Sequence, residues 1–264
     1  MSGLTQNQVQ SAADMLVALR EGRLNLVGLP AEVTPENTAD VQRIINAVSE
    51  RLVRPTRGWK IYTVYKPMNP PFYAPIYDLF ESGATIPGGI SPMRLIEPEI
   101  MFRIDQELPA RGHNYGIAQI MESVTAVVGF EVIGSRFRAA DASNTAQTSD
   151  GQGSLYGSLS DHIANGCIVI GDSIPDWQGV AFEDVGLKLT EDGRQIIDIV
   201  GCHPFDNPFL PVVVAVNRLR RHLGVMAGDI IVTNSSTSVI AVGAGSLIQA
   251  TYEGLGEVTA TFEV

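Results

Sequence analysis

The sequence predicts an α+β fold, with a helical segment over residues 1–57 and a sheet-rich domain over residues 58–264. Two patterns carry that expectation. Apolar residues recur at helical spacing as far as Leu52, and from Gly58 onward they fall into short β-like runs separated by Gly, Pro and Asn. Size agrees: 264 residues, 45% of them hydrophobic, are enough to bury a large core.

The first helix is expected where Thr5 or Asn7 caps a run in which Val9, Ala12, Ala13, Leu16 and Leu19 share a face, ending near Gly22. A second opens at Thr34, the expected N-cap, with Pro35 in the first helical position and Val41, Ile44, Ile45, Val48 and Leu52 as its apolar stripe. Strands are expected over 60–65, 99–104, 127–133 and 167–170. The stretch 139–158, rich in Ala, Ser, Gly, Gln and Asp, reads as a long loop set into the sheet, either a lid or a passive surface insertion. A helix over 209–223 turns Val212, Val213, Val216 and Leu219 one way and carries Arg218, Arg220 and Arg221 on a solvated or interfacial face. Strands return after Ala227 and from Ser246, with a hairpin at Glu253-Gly254-Leu255-Gly256. No internal repeat, P-loop or G-x-G-x-x-G fingerprint is present.

A net charge of −11 without a run of Lys or Arg argues against nucleic acid and against anionic membrane surfaces as partners. Cys167 and Cys202 lie in apolar or Gly-rich stretches without C-x-x-C spacing, which fits reduced thiols and leaves a disulfide to geometry. The start, Met1-Ser2-Gly3-Leu4, has neither a basic leader nor an apolar signal core, and no segment approaches the length of a membrane span. A cytoplasmic protein is the expectation.

The chemistry-bearing feature is a trio of carboxylates in two strand-like runs: Glu97 and Glu99 in Leu95–Phe102, and Glu131 in Gly129–Arg136. Residues i and i+2 of a strand share a face, so Glu97 and Glu99 would aim together, with Ile96, Ile100 and Phe102 packing around them. Like charges held that close in apolar surroundings need a cation, and an all-oxygen trio suits Mg²⁺ or Mn²⁺. The same spacing also fits an exposed edge strand with solvated acids.

Taken together, Gly58-Trp59-Lys60-Ile61, Glu97-Pro98-Glu99-Ile100, Phe130–Arg136, Ser160–Gly166 and Ala227–Val232 stand in the order and approximate spacing of the fumarylacetoacetate hydrolase superfamily. The chain most resembles its 2-oxopent-4-enoate hydratases and 4-oxalocrotonate decarboxylases of aromatic meta-cleavage catabolism. The resemblance implies a mixed β-sheet roll, a divalent cation on Glu97, Glu99 and Glu131, and a 2-oxo acid substrate chelated by that cation. It further implies that Lys60 stabilises an enolate or, with a depressed pKa, moves protons. Asp161 would orient Lys60 or a metal-bound water, and Ser235, Ser236 and Thr237, after Asn234, would hydrogen-bond a substrate carboxylate. His203 departs from the family's small residues and reads as a turn or pocket wall. A homo-oligomer is also implied.

Three departures shape the expected reaction. Tyr62 and Tyr65 bring aromatic rings where the family continues Gly-Leu-Thr-Ser, and Gly134 replaces an acid of the V-D-S-R motif. Phe72 stands among the substrate-binding residues where hydratases tend to carry Asp and decarboxylases an apolar residue. Adding water needs a group to take a proton, whereas loss of CO₂ needs only an electron sink, so decarboxylation is expected, with hydration as the alternative. Asp78 or Glu81 could compensate for the missing acid. Two further readings are a C–C hydrolase of acylpyruvates using His113 or His162, and a non-catalytic homologue.

Overall fold

The computed structural model describes residues 3–62, 71–137, 152–201, 203, 207–235 and 237–264. Tyr65, Cys202, Ser236 and residues 139–151 of the expected loop lie outside them. In chain order the elements are α1 Gln6–Arg20, α2 Thr38–Leu52, β1 Gly58–Tyr62, β2 Phe72–Ile76, β3 Leu79–Glu81, β4 Ala84–Ile86, β5 Leu95–Ile104, α3 Ile117–Met121 and β6 Val124–Ile133. Then follow α4 Gln152–Ser160, β7 Asn165–Ile174, β8 Gly186–Glu191, β9 Arg194–Val200, α5 Phe209–Leu219, β10 Ile230–Val232, β11 Ile240–Ala241, β12 Leu247–Tyr252 and β13 Gly256–Phe262. They form two compact units, one of Met1–Pro55, Tyr62–Pro75 and Ser135–Asn165, the other of Thr56–Ile61, Ile76–Gly134 and Gly166–Val264. The expected boundary at residue 57 lies close to the end of the first segment, and two later segments join the helical unit.

In the helical unit, α1 starts at a capping box: the Thr5 side chain accepts from the Gln8 N–H while the Gln8 side chain accepts from the Thr5 N–H. Helix α2 starts later than expected. Thr34 Oγ1 donates to the carbonyls of Leu29 at 3.0 Å and Pro30 at 2.9 Å, holding a short 3₁₀ turn, Ala31–Val33. Asn37 caps instead, accepting from the Asp40 N–H at 2.9 Å. Val9, Leu16, Ile44 and Val48 pack with Phe137 into one core cluster. A second cluster joins Val41, Ile45, Phe72, Ala74, Leu159 and Ile163. The loop expected as far as residue 158 is a helix from Gln152 to Ser160, because Leu159 finds apolar partners that its small, polar neighbours do not advertise.

The sheet unit holds two sheets. In the first, strands run in the order β1-β10-β5-β6-β7-β3, with β11 paired to the start of β5. β1 is parallel to β10 and β3 to β7, whereas β5 is antiparallel to β6 and β10, so the sheet is mixed. The second runs β4-β13-β12-β8-β9, and β12 and β13 form the expected hairpin. The β8–β9 hairpin was not among the expected elements, although Asp192-Gly193, at φ 50° and 77°, is the turn pair such hairpins favour. Phe209 of α5 packs with Phe102 and Trp177, ring centroids 4.9–5.8 Å apart. Arg220 corrects the expected basic face: it is buried and donates to Asn114 Oδ1 and the Arg111 carbonyl. Among the described residues no helix is long and apolar enough to cross a membrane.

Candidate metal centre

Register builds the acid cluster. Glu97 lies directly opposite Glu131 in the β5–β6 ladder, and Glu99 lies opposite Gly129. Cross-strand partners share a face, so the i, i+2 pair on β5 and the single acid on β6 converge. One oxygen from each carboxylate lies within 4.8 Å of the others. Glu99 and Glu131 are buried and Glu97 is half-buried, which removes the edge-strand alternative. Ile96, Ile100 and Phe102 alternate onto the opposite face rather than surrounding the acids. The apolar neighbours on the acids' own face are Met101, Val127, Ile230 and Val232.

Lys60 reaches the same face through two ladders. It pairs with Val232 on β10, whose Ile231 pairs with Phe102 on β5. Its Nζ lies 2.7 Å from Glu131 Oε1. Burial pulls the ammonium's pKa down, but the attraction of Glu131, Glu97 and Glu99 outweighs it and leaves Lys60 above its usual range. The expectation of a depressed lysine is thereby corrected. Burial pushes Glu97 up to about 7, with Lys60 opposing and Glu131 adding to the rise. Glu99 is raised well above the carboxylate range by burial, then by Glu131 and Glu97. One ammonium cannot offset three close carboxylates, two of them buried and one half-buried, and this oxygen-only donor set fits a hard divalent cation.

Glu99 has further support that sequence reasoning missed. Its Oε2 accepts the backbone N–H groups of Thr233 and Asn234. The expected carboxylate-binding hydroxyls follow directly: Ser235 Oγ is 3.5 Å from the Pro98 carbonyl and accepts from the Thr237 N–H at 3.0 Å, while Thr237 Oγ1 donates to the Ser238 carbonyl. His203 is buried beside Thr233. Gly134, read as a lost acid, sits where a Cβ would meet the Ile90 carbonyl at 2.4 Å and Gly166 Cα at 2.8 Å, so no side chain fits there. Asp78 is half-buried and Glu81 exposed.

Phe72 and Asp161 belong to the helical unit. Phe72 is buried and stacked on Tyr62 at 4.9 Å. Asp161 is fully buried; its Oδ1 takes Arg20 at 3.1 Å and Arg136 at 3.3 Å, and its Oδ2 accepts the Arg136 N–H at 2.8 Å. Both carboxylate oxygens therefore hold arginines. His162 commits Nδ1 to Arg20 at 2.7 Å and Nε2 to Ser49 at 3.2 Å, and His113 is exposed, so neither offers the activated pair a C–C hydrolase needs. Arg20 lies in no motif, and Arg136, although it ends the Phe130–Arg136 stretch, was not read as a partner of Asp161.

Fold and cluster together define a class: an α+β chain whose mixed sheet presents buried oxygen ligands suited to a divalent cation. No family profile matches the chain. It is 26% identical to a 2-keto-4-pentenoate hydratase of Paraburkholderia phymatum, over 97% of this chain and 98% of that protein. It is 25% identical to a 4-oxalocrotonate decarboxylase of Pseudomonas putida, over 71% and 69% of the two chains. The fold matches a solved 4-oxalocrotonate decarboxylase from Pseudomonas putida G7, complexed with magnesium and adipate, with TM-score 0.75, 19% identity and 98% of each chain covered. The chain is thus similar in sequence to 2-keto-4-pentenoate hydratases and 4-oxalocrotonate decarboxylases, and similar in fold to a solved member of the second group.

Proposed function

We propose that this divalent-metal-dependent lyase decarboxylates an unsaturated 2-oxo dicarboxylic acid of the 4-oxalocrotonate type. Glu97, Glu99 and Glu131 would hold a Mg²⁺ or Mn²⁺ ion, which would supply Lewis-acid chemistry to a 2-oxo acid. Lys60, held as an ammonium by Glu131, places a second positive charge beside that region, stabilises the enolate and supplies a proton to it. Ser235 and Thr237 offer hydroxyls at the Pro98 end of the cluster, where a substrate carboxylate would sit. Asp161 acts through Arg20 and Arg136, which it positions.

The observation that carries decarboxylation over hydration is Phe72. Its ring is buried against Tyr62, Val41, Ile45 and Ala74, so the position that tends to be an acid in hydratases here can take no proton from water. Adipate, bound by the solved decarboxylase, is a six-carbon dicarboxylate of the same length as the proposed substrate. Hydration is the second reading, favoured by the full-length likeness to a hydratase and by half-buried Asp78, whose charge is felt at Cys167 together with that of Glu131.

CO₂ release and product mass on 2-oxohex-3-enedioate and 2-hydroxypenta-2,4-dienoate, with Mg²⁺ or Mn²⁺ and then with chelator, decide between them. Metal-dependent CO₂ loss is expected; metal-dependent gain of one water would replace this reading by the second. Assembly into a homo-oligomer is part of the same proposal, and light scattering tests it.

A further inference from the structure

Glu99 is gripped by the main chain. Its Oε2 accepts two consecutive N–H groups, from Thr233 at 3.3 Å and Asn234 at 3.2 Å. Bringing successive N–H groups to one oxygen requires a sharp turn, and Asn234 adopts φ 145°, a conformation that residues with side chains rarely hold. Thr233 fastens that turn. It is fully buried, and its Oγ1 donates to the carbonyl of Ile100, the residue next to Glu99, at 2.7 Å. With its proton given to Ile100, Oγ1 acts as acceptor toward His203 Nε2 at 3.4 Å, which ties the turn to a third segment.

We propose that Thr233 is a positioning residue that keeps Glu99 a one-oxygen ligand and thereby sets both the affinity and the size preference of the acid cluster for divalent cations. With Oε2 occupied by the main chain, only Oε1 is left for a cation. Small Mg²⁺ and Mn²⁺ take one oxygen per carboxylate in compact octahedra, whereas Ca²⁺ accepts two-oxygen carboxylates and more ligands. Releasing Oε2 should therefore weaken binding of the small ions and spare Ca²⁺. The inference rests on the metal function proposed above.

Calorimetric titration of Mn²⁺ and Ca²⁺ into metal-free wild type, Thr233→Val, Thr233→Ala and Thr233→Ser tests it, with thermal unfolding of each metal-free protein to verify folding. Thr233→Val should bind Mn²⁺ about tenfold or more weaker, the loss usual when a partner behind a ligand is removed. Its preference should move toward Ca²⁺, and Thr233→Ser should restore the wild-type values. Thr233→Ala, which adds no methyl in place of the hydroxyl, serves if the valine variant does not fold. Equal weakening of both cations, or no change, overturns the inference while leaving the metal site standing. Failure of the wild type to bind Mn²⁺ overturns the metal site itself and this inference with it.

Discussion

Lys60 sits one hydrogen bond from Glu131, and its charge acts in two opposing ways. An ammonium beside carboxylates that also hold a cation repels that cation, yet it stabilises negative charge developing on a substrate in the same place. Lys60→Met should therefore tighten Mn²⁺ binding while lowering kcat by about 10²–10⁴, the span typical of a lost proton-transfer group. Calorimetry and steady-state kinetics on the same preparation check both. Parallel loss of binding and turnover would mean that Lys60 merely holds Glu131 in place. Glu131→Gln, which removes a charge from the buried face, should abolish measurable Mn²⁺ binding and with it the metal-dependent activity.

Among the elements of the helical unit, the turn after α4 carries backbone strain. His162, Ile163 and Ala164 stand at φ 50°, 56° and 54°, three successive left-handed residues without a glycine. Arg20 can only donate, so His162 Nδ1 accepts, Nε2 carries the proton toward Ser49, and the Ser49 hydroxyl donates to the Ile45 carbonyl. The ring is thus held neutral; burial, then Arg20 and Arg136, lower its pKa well below 6.5. Because the folded value lies below the unfolded one, the unfolded chain takes up the extra proton. This stabilising contribution is present above pH about 6.5 and is lost as pH falls further. His162→Gln, which can keep both hydrogen bonds, should lose less stability than wild type between pH 7.5 and 5.5; equal losses in urea unfolding would refute it. Ala164→Gly should stabilise by about 0.5–1 kcal/mol, since about 1–2 kcal/mol of left-handed strain outweighs about 0.5–1 kcal/mol of glycine's extra chain freedom.

These elements also mark what the sequence disclosed. The start of α1, with Thr5 or Asn7 as its cap, and the β12–β13 hairpin were legible because their signals lie within a few residues, as was the shared face of Glu97 and Glu99. Glu131 was legible as a third carboxylate in a strand-like run, but its place opposite Glu97 is a matter of register between strands distant in sequence. Thr34 misled because its hydroxyl already served the turn before it, and the left-handed turn was hidden because no glycine announces it.

For the whole molecule, the metal role proposed for the acid cluster would couple folding to protons and to a cation. Glu97 has a folded pKa of about 7, above the usual carboxylate value of 4.5, so its contribution to stability is present below that usual value and is lost as pH rises through about 7. Glu99, raised for the same reason of burial among like charges, acts in the same direction. A divalent cation must displace those protons, so its apparent affinity rises over the window in which the metal-free chain weakens. Stabilisation by a bound cation follows the logarithm of its concentration over Kd, and each tenfold gain in affinity at saturating cation adds about 1.4 kcal/mol. The rise in Tm given by a fixed excess of Mn²⁺ should therefore be small at pH 5.5 and large at pH 8, and in Glu97→Gln it should be smaller at pH 8. Scanning calorimetry over that range checks it. A Tm increment independent of pH would mean that the carboxylates are already ionised without the cation, and that the cluster stores far less repulsion than its burial implies.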